Sequence, residues 1–203
     1  MHTWFTRSNL RRLPLLLVPL SIPFIAAAAG QPQVAAPAAA ADYSRQPNRN
    51  LTLSERVKRA TTQWLNFNDA VDPHFGGYVG STPCVSGPDF GAMGIHVINP
   101  TILGKSQLNP EYPTALIYEP QANGYKRLVG VEFIVLDAEW QKAHPKGPAT
   151  PDLEGNLLNF VAKGNRYGLP DFWELHVWAW EDNPVGVFAD WNTHVTCNKP
   201  RIG

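Results

Sequence analysis

Asp171-Phe-Trp-Glu-Leu-His-Val-Trp-Ala-Trp180 is the stretch whose reading decides the fold. At a period of two, Glu174, His176, Trp178 and Trp180 share one face, and Leu175, Val177 and Ala179 take the other. Both faces are largely apolar, so the stretch reads as a covered strand carrying a histidine inward among indole rings. Two earlier segments repeat the arrangement. Met93-Gly-Ile-His96-Val-Ile98 and Leu128-Val-Gly-Val-Glu132-Phe-Ile-Val-Leu136 each embed one ionisable residue in an otherwise apolar strand. Alternation places Leu128, Gly130, Ile134 and Leu136 on the face of Glu132, and Val129, Val131, Phe133 and Val135 on the other.

Around these strands the punctuation is clear. Thr52-Leu-Ser-Glu55 has the spacing of a capping box. Val57, Ala60, Trp64 and Phe67 follow at three- and four-residue intervals, which predicts one amphipathic helix fading before Asp72-Pro73. Residues 72–94 are rich in Gly and Pro and read as a loop. Thr114–Glu119 is a further strand, and Asn123-Gly124 is the hairpin signal joining it to Lys126–Leu136. Asp137–His144 suits one or two helical turns, and Pro145–Pro151 reads as a surface excursion or a lid. Leu157–Ala162 fits strand or helix, and Asn183-Pro-Val-Gly186 is a turn. The sum is an α+β domain, an N-terminal amphipathic helix packed on a mainly antiparallel curved sheet, with a small β-barrel as the alternative.

The first residues are set apart from this fold. Arg7, Arg11 and Arg12 precede a proline-broken apolar run, Leu13–Ile25, and small residues up to Gly30. That is the pattern of a signal peptide over residues 1–29, with an Ala/Pro-rich disordered linker over 30–50 and one globular domain over 51–203. The run is too short and interrupted for a stable membrane span, which needs about 20 apolar residues. Cleavage up to Ala41 would remove three arginines and no acids, leaving 14 basic against 17 acidic residues, a net charge of −3. A slightly acidic chain without a basic run argues against nucleic acid as a partner. The expected destination is the periplasm or the medium.

Only Cys84 and Cys197 are present, and in an oxidising compartment they are expected to form a disulfide. Closing a loop of about 110 residues contributes roughly 4–5 kcal/mol in the chain-entropy account. A pair of thiolate metal ligands is the alternative, disfavoured because the two are not in Cys-x-x-Cys spacing.

Glu132 is the most informative position. A carboxylate on such a strand must be paired, protonated or metal-bound, since an isolated buried charge costs many kcal/mol. His96 and His176, each in mid-strand, are its natural partners. Together the three would make a 2-His-1-carboxylate metal site with open positions, suited to iron, manganese, zinc or copper and to oxidoreductase chemistry on a small molecule. Asp190 and His194 are further candidate ligands. Two other readings stand beside it. Glu132 and His176 could act as base and acid on a ligand held in a pocket between Trp178 and Trp180. Alternatively the three residues form a structural network in a non-catalytic binding or assembly module. Neither a nucleophile elbow, nor a P-loop, nor a dinucleotide fingerprint is present.

Ala92-Met-Gly-Ile-His96 with Asn99-Pro100, Leu128-Val-Gly-Val-Glu132, and Glu174-Leu-His-Val-Trp178 running through Asn183-Pro-Val-Gly-Val-Phe-Ala-Asp-Trp-Asn192 to Cys197 form a set. These motifs resemble an uncharacterised family of exported bacterial proteins, over roughly Leu53–Cys197. The resemblance implies export and supplies no activity. The strand-borne His and Glu are also similar to cupin ligands, but the cupin His-x-His is missing.

Overall fold

The computed structural model describes residues 51–198, so the expected signal peptide and linker lie outside the described residues. Thr52 caps the first helix, α1 (Leu53–Thr61), through the full reciprocal box: its hydroxyl accepts from Glu55 N, and Glu55 Oε2 accepts from Thr52 N at 2.8 Å. Glu55 is held below the usual carboxylate range by those hydrogen bonds. The apolar stripe does not continue as one rod. A 3-10 turn (Thr62–Trp64) follows, and α2 (Phe67–Val71) starts anew with Asn66 as its cap. The Asn66 side chain accepts from Asn68 N while its own backbone is extended, a local bond that competes with the helix.

Among the described residues nine strands follow in chain order, with two short helices between them. They are β1 (Gly80–Ser81), β2 (Val85–Gly87), β3 (Gly91–Ile98), then α3 (Pro100–Leu103), β4 (Ala115–Pro120) and β5 (Lys126–Leu136). After α4 (Asp137–Ala143) come β6 (Asp152–Leu153), β7 (Asn156–Leu157), β8 (Asn159–Val161) and β9 (Phe172–Val177). The main sheet runs β1-β3-β4-β5-β9-β8 with β2 also on β3, every pair antiparallel. It stays open, so the fold is α+β with a mainly antiparallel sheet, and the barrel alternative does not form. Asn123-Gly124 turns β4 into β5 as its sequence demands, with Gly124 at a φ of 83° and Gly124 N donating to Gln121 O. Residues 145–151 are held against the helix before them. Trp140 Nε1 donates to Pro148 O and Gln141 Nε2 to Ala149 O, which ties the excursion to α4.

One departure from simple alternation matters for the site. Ile117 faces Gly130, but Tyr118 faces Leu128, so Val129 is the extra residue of a β-bulge. The bulge reverses the parity expected at the start of β5. Leu128 joins the cluster under the helices with Leu53, Val57, Tyr118, Val131 and Phe133, and Val129 joins Ile117 and Trp178 on the opposite face.

After Val177 the chain leaves the sheet, packs Trp180, Val187 and Phe188 against the helix-side cluster, and returns along the second face to Val195. Trp180 N and Glu181 N both donate to Val129 O, the carbonyl that the bulge turns outward, and Trp178 N donates to Val187 O. Asn183-Pro-Val-Gly186 closes by Gly186 N to Asn183 O. Asn192 then pairs with Ala92 through both backbone bonds. Gly91 is obligatory at this crossing, because a Cβ there would stand 2.1 Å from Asn192 O. The expected Cys84–Cys197 disulfide fastens the end of the wrap next to β2. No helix among the described residues is long and apolar enough to cross a membrane.

Candidate metal centre

Antiparallel register brings the ionisable residues together. Glu132 and His176 are directly opposite on β5 and β9, so their side chains leave the sheet on the same side. Glu174, two residues before His176, adds a second carboxylate to that face. His96 lies two strands away on β3, where it pairs with Ile117, which in turn pairs with Gly130. Gly130 keeps the intervening position small: a Cβ there would meet Val177 O at 3.0 Å and the Trp178 ring at 3.1 Å. The histidine rings then reach one another over the sheet, with centroids 5.6 Å apart and planes at 89°.

His96 Nε2 lies 3.4 Å from His176 Nε2 and 3.5 Å from Glu132 Oε2. On the far side of the His176 ring, Nδ1 faces Asp190 Oδ1 at 3.7 Å. One donor atom from each of His96, Glu132 and His176 falls within 4.8 Å of the others, and the same holds for Glu174, His176 and Asp190. Both groups have the composition and spacing to hold a metal ion. His176 belongs to both.

Electrostatics follow from burial. His96 and His176 are fully buried and Glu132 is 1% exposed. Burial pushes the His96 imidazole down to about 4, and it holds His176 well below its usual value, helped by the neighbouring His96. Burial drives Glu132 well above the carboxylate range, and the charge of Glu174 pushes it further. Glu174 is raised by burial too, partly offset by the hydrogen bond it shares with Glu132. Both carboxyls are thus raised, Glu132 the more strongly of the two. Asp190, at the rim, is raised by burial as well. Burial thus disfavours the charged form of both imidazoles and both carboxyls. Even so, His96 Nδ1, Glu132 Oε1, Glu174 Oε2 and His176 Nδ1 are buried without a hydrogen-bond partner.

The surroundings hold these groups in place and cover them. Tyr167 sets its ring edge-on to His96 at 5.7 Å, on a loop organised by Asn165, whose side chain bonds the backbone of Ala162, Tyr167 and Leu169. The exposed Arg166 lays its guanidinium over the Trp191 ring at 5.5 Å, which brings the loop to the wrapped segment beside Asp190. Trp178 stacks on His176 at 6.1 Å and donates from Nε1 to Ala189 O, fixing the residue before Asp190.

Trp178 and Trp180 do not form a pocket together. Alternation ends at Val177, and Trp180 crosses to the helix side, where Nε1 donates to Thr61 Oγ1 and Lys58 lies over the ring. His194 also stands apart, half exposed and 3.9 Å from Glu181. Glu174 is the site residue that sequence reasoning misses despite a signal, since it shares the period-two face of His176. Tyr167 and Arg166 carry no such signal, because a loop residue reveals its position only in the folded chain. Comparison with protein-family models, with curated proteins and with solved structures finds no match.

Proposed function

We propose that this chain is an exported metalloprotein in which His96, Glu132 and His176 bind a divalent transition metal for oxidoreductase chemistry on a small molecule. The separation of the donors carries this reading. At 3.4 and 3.5 Å the contacts are longer than ordinary hydrogen bonds. Two ligands at about 2.0–2.1 Å from a tetrahedral ion stand about 3.3–3.4 Å apart, which is the spacing of these atoms. A structural Glu/His network would close on itself at hydrogen-bond distance, whereas His96 Nε2 stands 3.4 Å and 3.5 Å from its two neighbours. The ligand set excludes thiolate, since both cysteines are in the disulfide, and iron, manganese, zinc and copper all accept two imidazoles and a carboxylate. Three protein ligands leave positions open for water or substrate, and burial beneath Tyr167 restricts entry to small molecules. Export is supported by the disulfide and by the N-terminal pattern.

Metal content by mass spectrometry, on protein purified without an affinity tag, tests the proposal. The expected result is at least one equivalent of a transition metal per chain, held or taken up on reconstitution. His96→Ala should lose that equivalent while its near-ultraviolet circular dichroism stays native. Wild-type protein that remains metal-free after reconstitution with each of the four ions would overturn it.

A further inference from the structure

We infer that the centre is binuclear: a second, outer cation is held by Glu174, His176 Nδ1 and Asp190, with the His176 ring bridging it to the inner one. The inference rests on the inner site proposed above. It begins from a geometric fact about one ring. His176 Nε2 faces His96, and His176 Nδ1 faces Asp190 at 3.7 Å, a gap too long for a hydrogen bond and suited to an ion between the two atoms. A lone carboxylate orienting a metal-bound histidine would close to hydrogen-bond distance on that nitrogen. Here Nδ1 is buried with no partner.

The other members point to the same place. Glu174 is only 5% exposed, and its Oε2 is also buried without a partner. Its donor atom, that of His176 and that of Asp190 lie within 4.8 Å of one another. Asp190 is positioned for this by its neighbours: Trp178 Nε1 holds Ala189 O at 2.6 Å, and Asn159 Nδ2 reaches Asp190 Oδ1 at 3.5 Å. Charge counting agrees. Once an inner metal has displaced the proton of Glu132, three carboxylates, from Glu132, Glu174 and Asp190, surround two imidazoles, and a single divalent ion leaves one negative charge over. Arg166 is the nearby cation, but its guanidinium lies over Trp191. A second divalent ion absorbs the excess and engages the unpartnered oxygen of Glu174.

The ring can serve both ions only as imidazolate, so loading the second cation releases the one remaining ring proton of His176 to solvent. The two positions differ in access. The inner ligands are enclosed, while Asp190 is 39% exposed and opens the outer ion to the surface. The outer position would therefore exchange faster and meet solutes first.

Titration of the chelator-treated chain with Zn²⁺ and with Cu²⁺, followed by desalting and metal analysis, tests this. Two equivalents are expected, with exchange-coupled rather than isolated Cu²⁺ signals in electron paramagnetic resonance. Asp190→Asn lies at the rim and should keep the fold; it is expected to retain one equivalent, give an uncoupled Cu²⁺ spectrum and weaken the second equivalent at least tenfold. Glu174→Gln should behave alike. Saturation at one equivalent in wild type would overturn the binuclear inference and leave the inner site standing. Two equivalents that persist in both variants would overturn it too, by placing the second ion elsewhere. No metal at all would remove both proposals together.

Discussion

The two faces of the sheet are buried to a similar depth, yet they are built on different rules. On the helix side, Val97, Leu116, Val131, Phe133, Val135, Leu175 and Val177 meet Leu53, Val57 and Ala70, and the few polar groups are spoken for. Tyr78 donates to Pro113 O, Tyr118 to Trp64 O, and Thr61 to Val57 O. On the other side, His96, Glu132, Glu174 and His176 replace aliphatic side chains at the centre of the same strands. They contribute four of the five buried unpartnered side-chain atoms among the described residues, the fifth belonging to Arg56, which pairs with Glu154. Depth of burial does not separate a core from a site. Satisfaction of the polar groups does, because a stable core leaves few donors and acceptors unmade.

The largest expected effect lies on the helix face. Phe133 is 1% exposed in the centre of the main cluster. Phe133→Ala should cost about 3–5 kcal/mol of unfolding free energy, through lost burial and the cavity left behind. Urea denaturation of the chelator-treated protein measures it. A loss below about 1 kcal/mol would mean that the helix face is not the stabilising half.

Acid should act through the opposite face. His96 is depressed from 6.5 to about 4 by burial, and His176 shifts the same way. The folded state therefore binds fewer protons than the unfolded chain between those values. The stability this confers is present above pH 6.5 and is lost as pH falls towards 4. For His96 alone the loss is on the order of 3 kcal/mol, since each tenfold change in proton affinity is worth about 1.4 kcal/mol. Glu132, Glu174 and Asp190 are raised and act in the opposite direction over the same range. The histidine part is therefore read as the stability difference between metal-free wild type and His96→Gln from pH 7 to pH 4. It should shrink as pH falls, and a difference that does not change with pH would show that His96 is not held neutral.

Much of this contrast is legible in the sequence, and what is not has identifiable causes. His96, Glu132 and His176 stand out because each interrupts an apolar strand, and strand register then brings them together. Glu174 is visible on the same face by its period, but period alone does not tell a second carboxylate from an outward one. Alternation puts Leu128 and Val129 on the wrong faces because a bulge adds a residue with no local signature. Trp180 escapes for a similar reason: its alternation looks unbroken, and the chain leaves the sheet at Val177 to reach the Val129 carbonyl that the bulge exposes. The open sheet, not the barrel, ends in the short edge strands β1 and β8, and strand alternation alone does not show whether two edges will pair.

The smallest expected effect separates the faces most sharply. Glu132→Gln keeps the shape of the side chain and, like the protonated carboxyl, can donate to Glu174. In metal-free protein near pH 5 the change in stability should stay within about 0.5 kcal/mol, although the residue is as buried as Phe133. The pH dependence supplies the sign. Glu132 is raised above its unfolded value, so its contribution is full below about 4.5 and fades as pH rises through its folded value. Glutamine does not titrate. The variant should therefore overtake wild type as pH increases in the presence of chelator, and fall behind it once metal is added, because the amide supplies a poorer ligand than a carboxylate. Parallel denaturation curves with and without Zn²⁺ at pH 5 and pH 8 would show this crossing. A variant that is several kcal/mol weaker under every condition would instead place Glu132 with Phe133, as a residue the fold needs for itself.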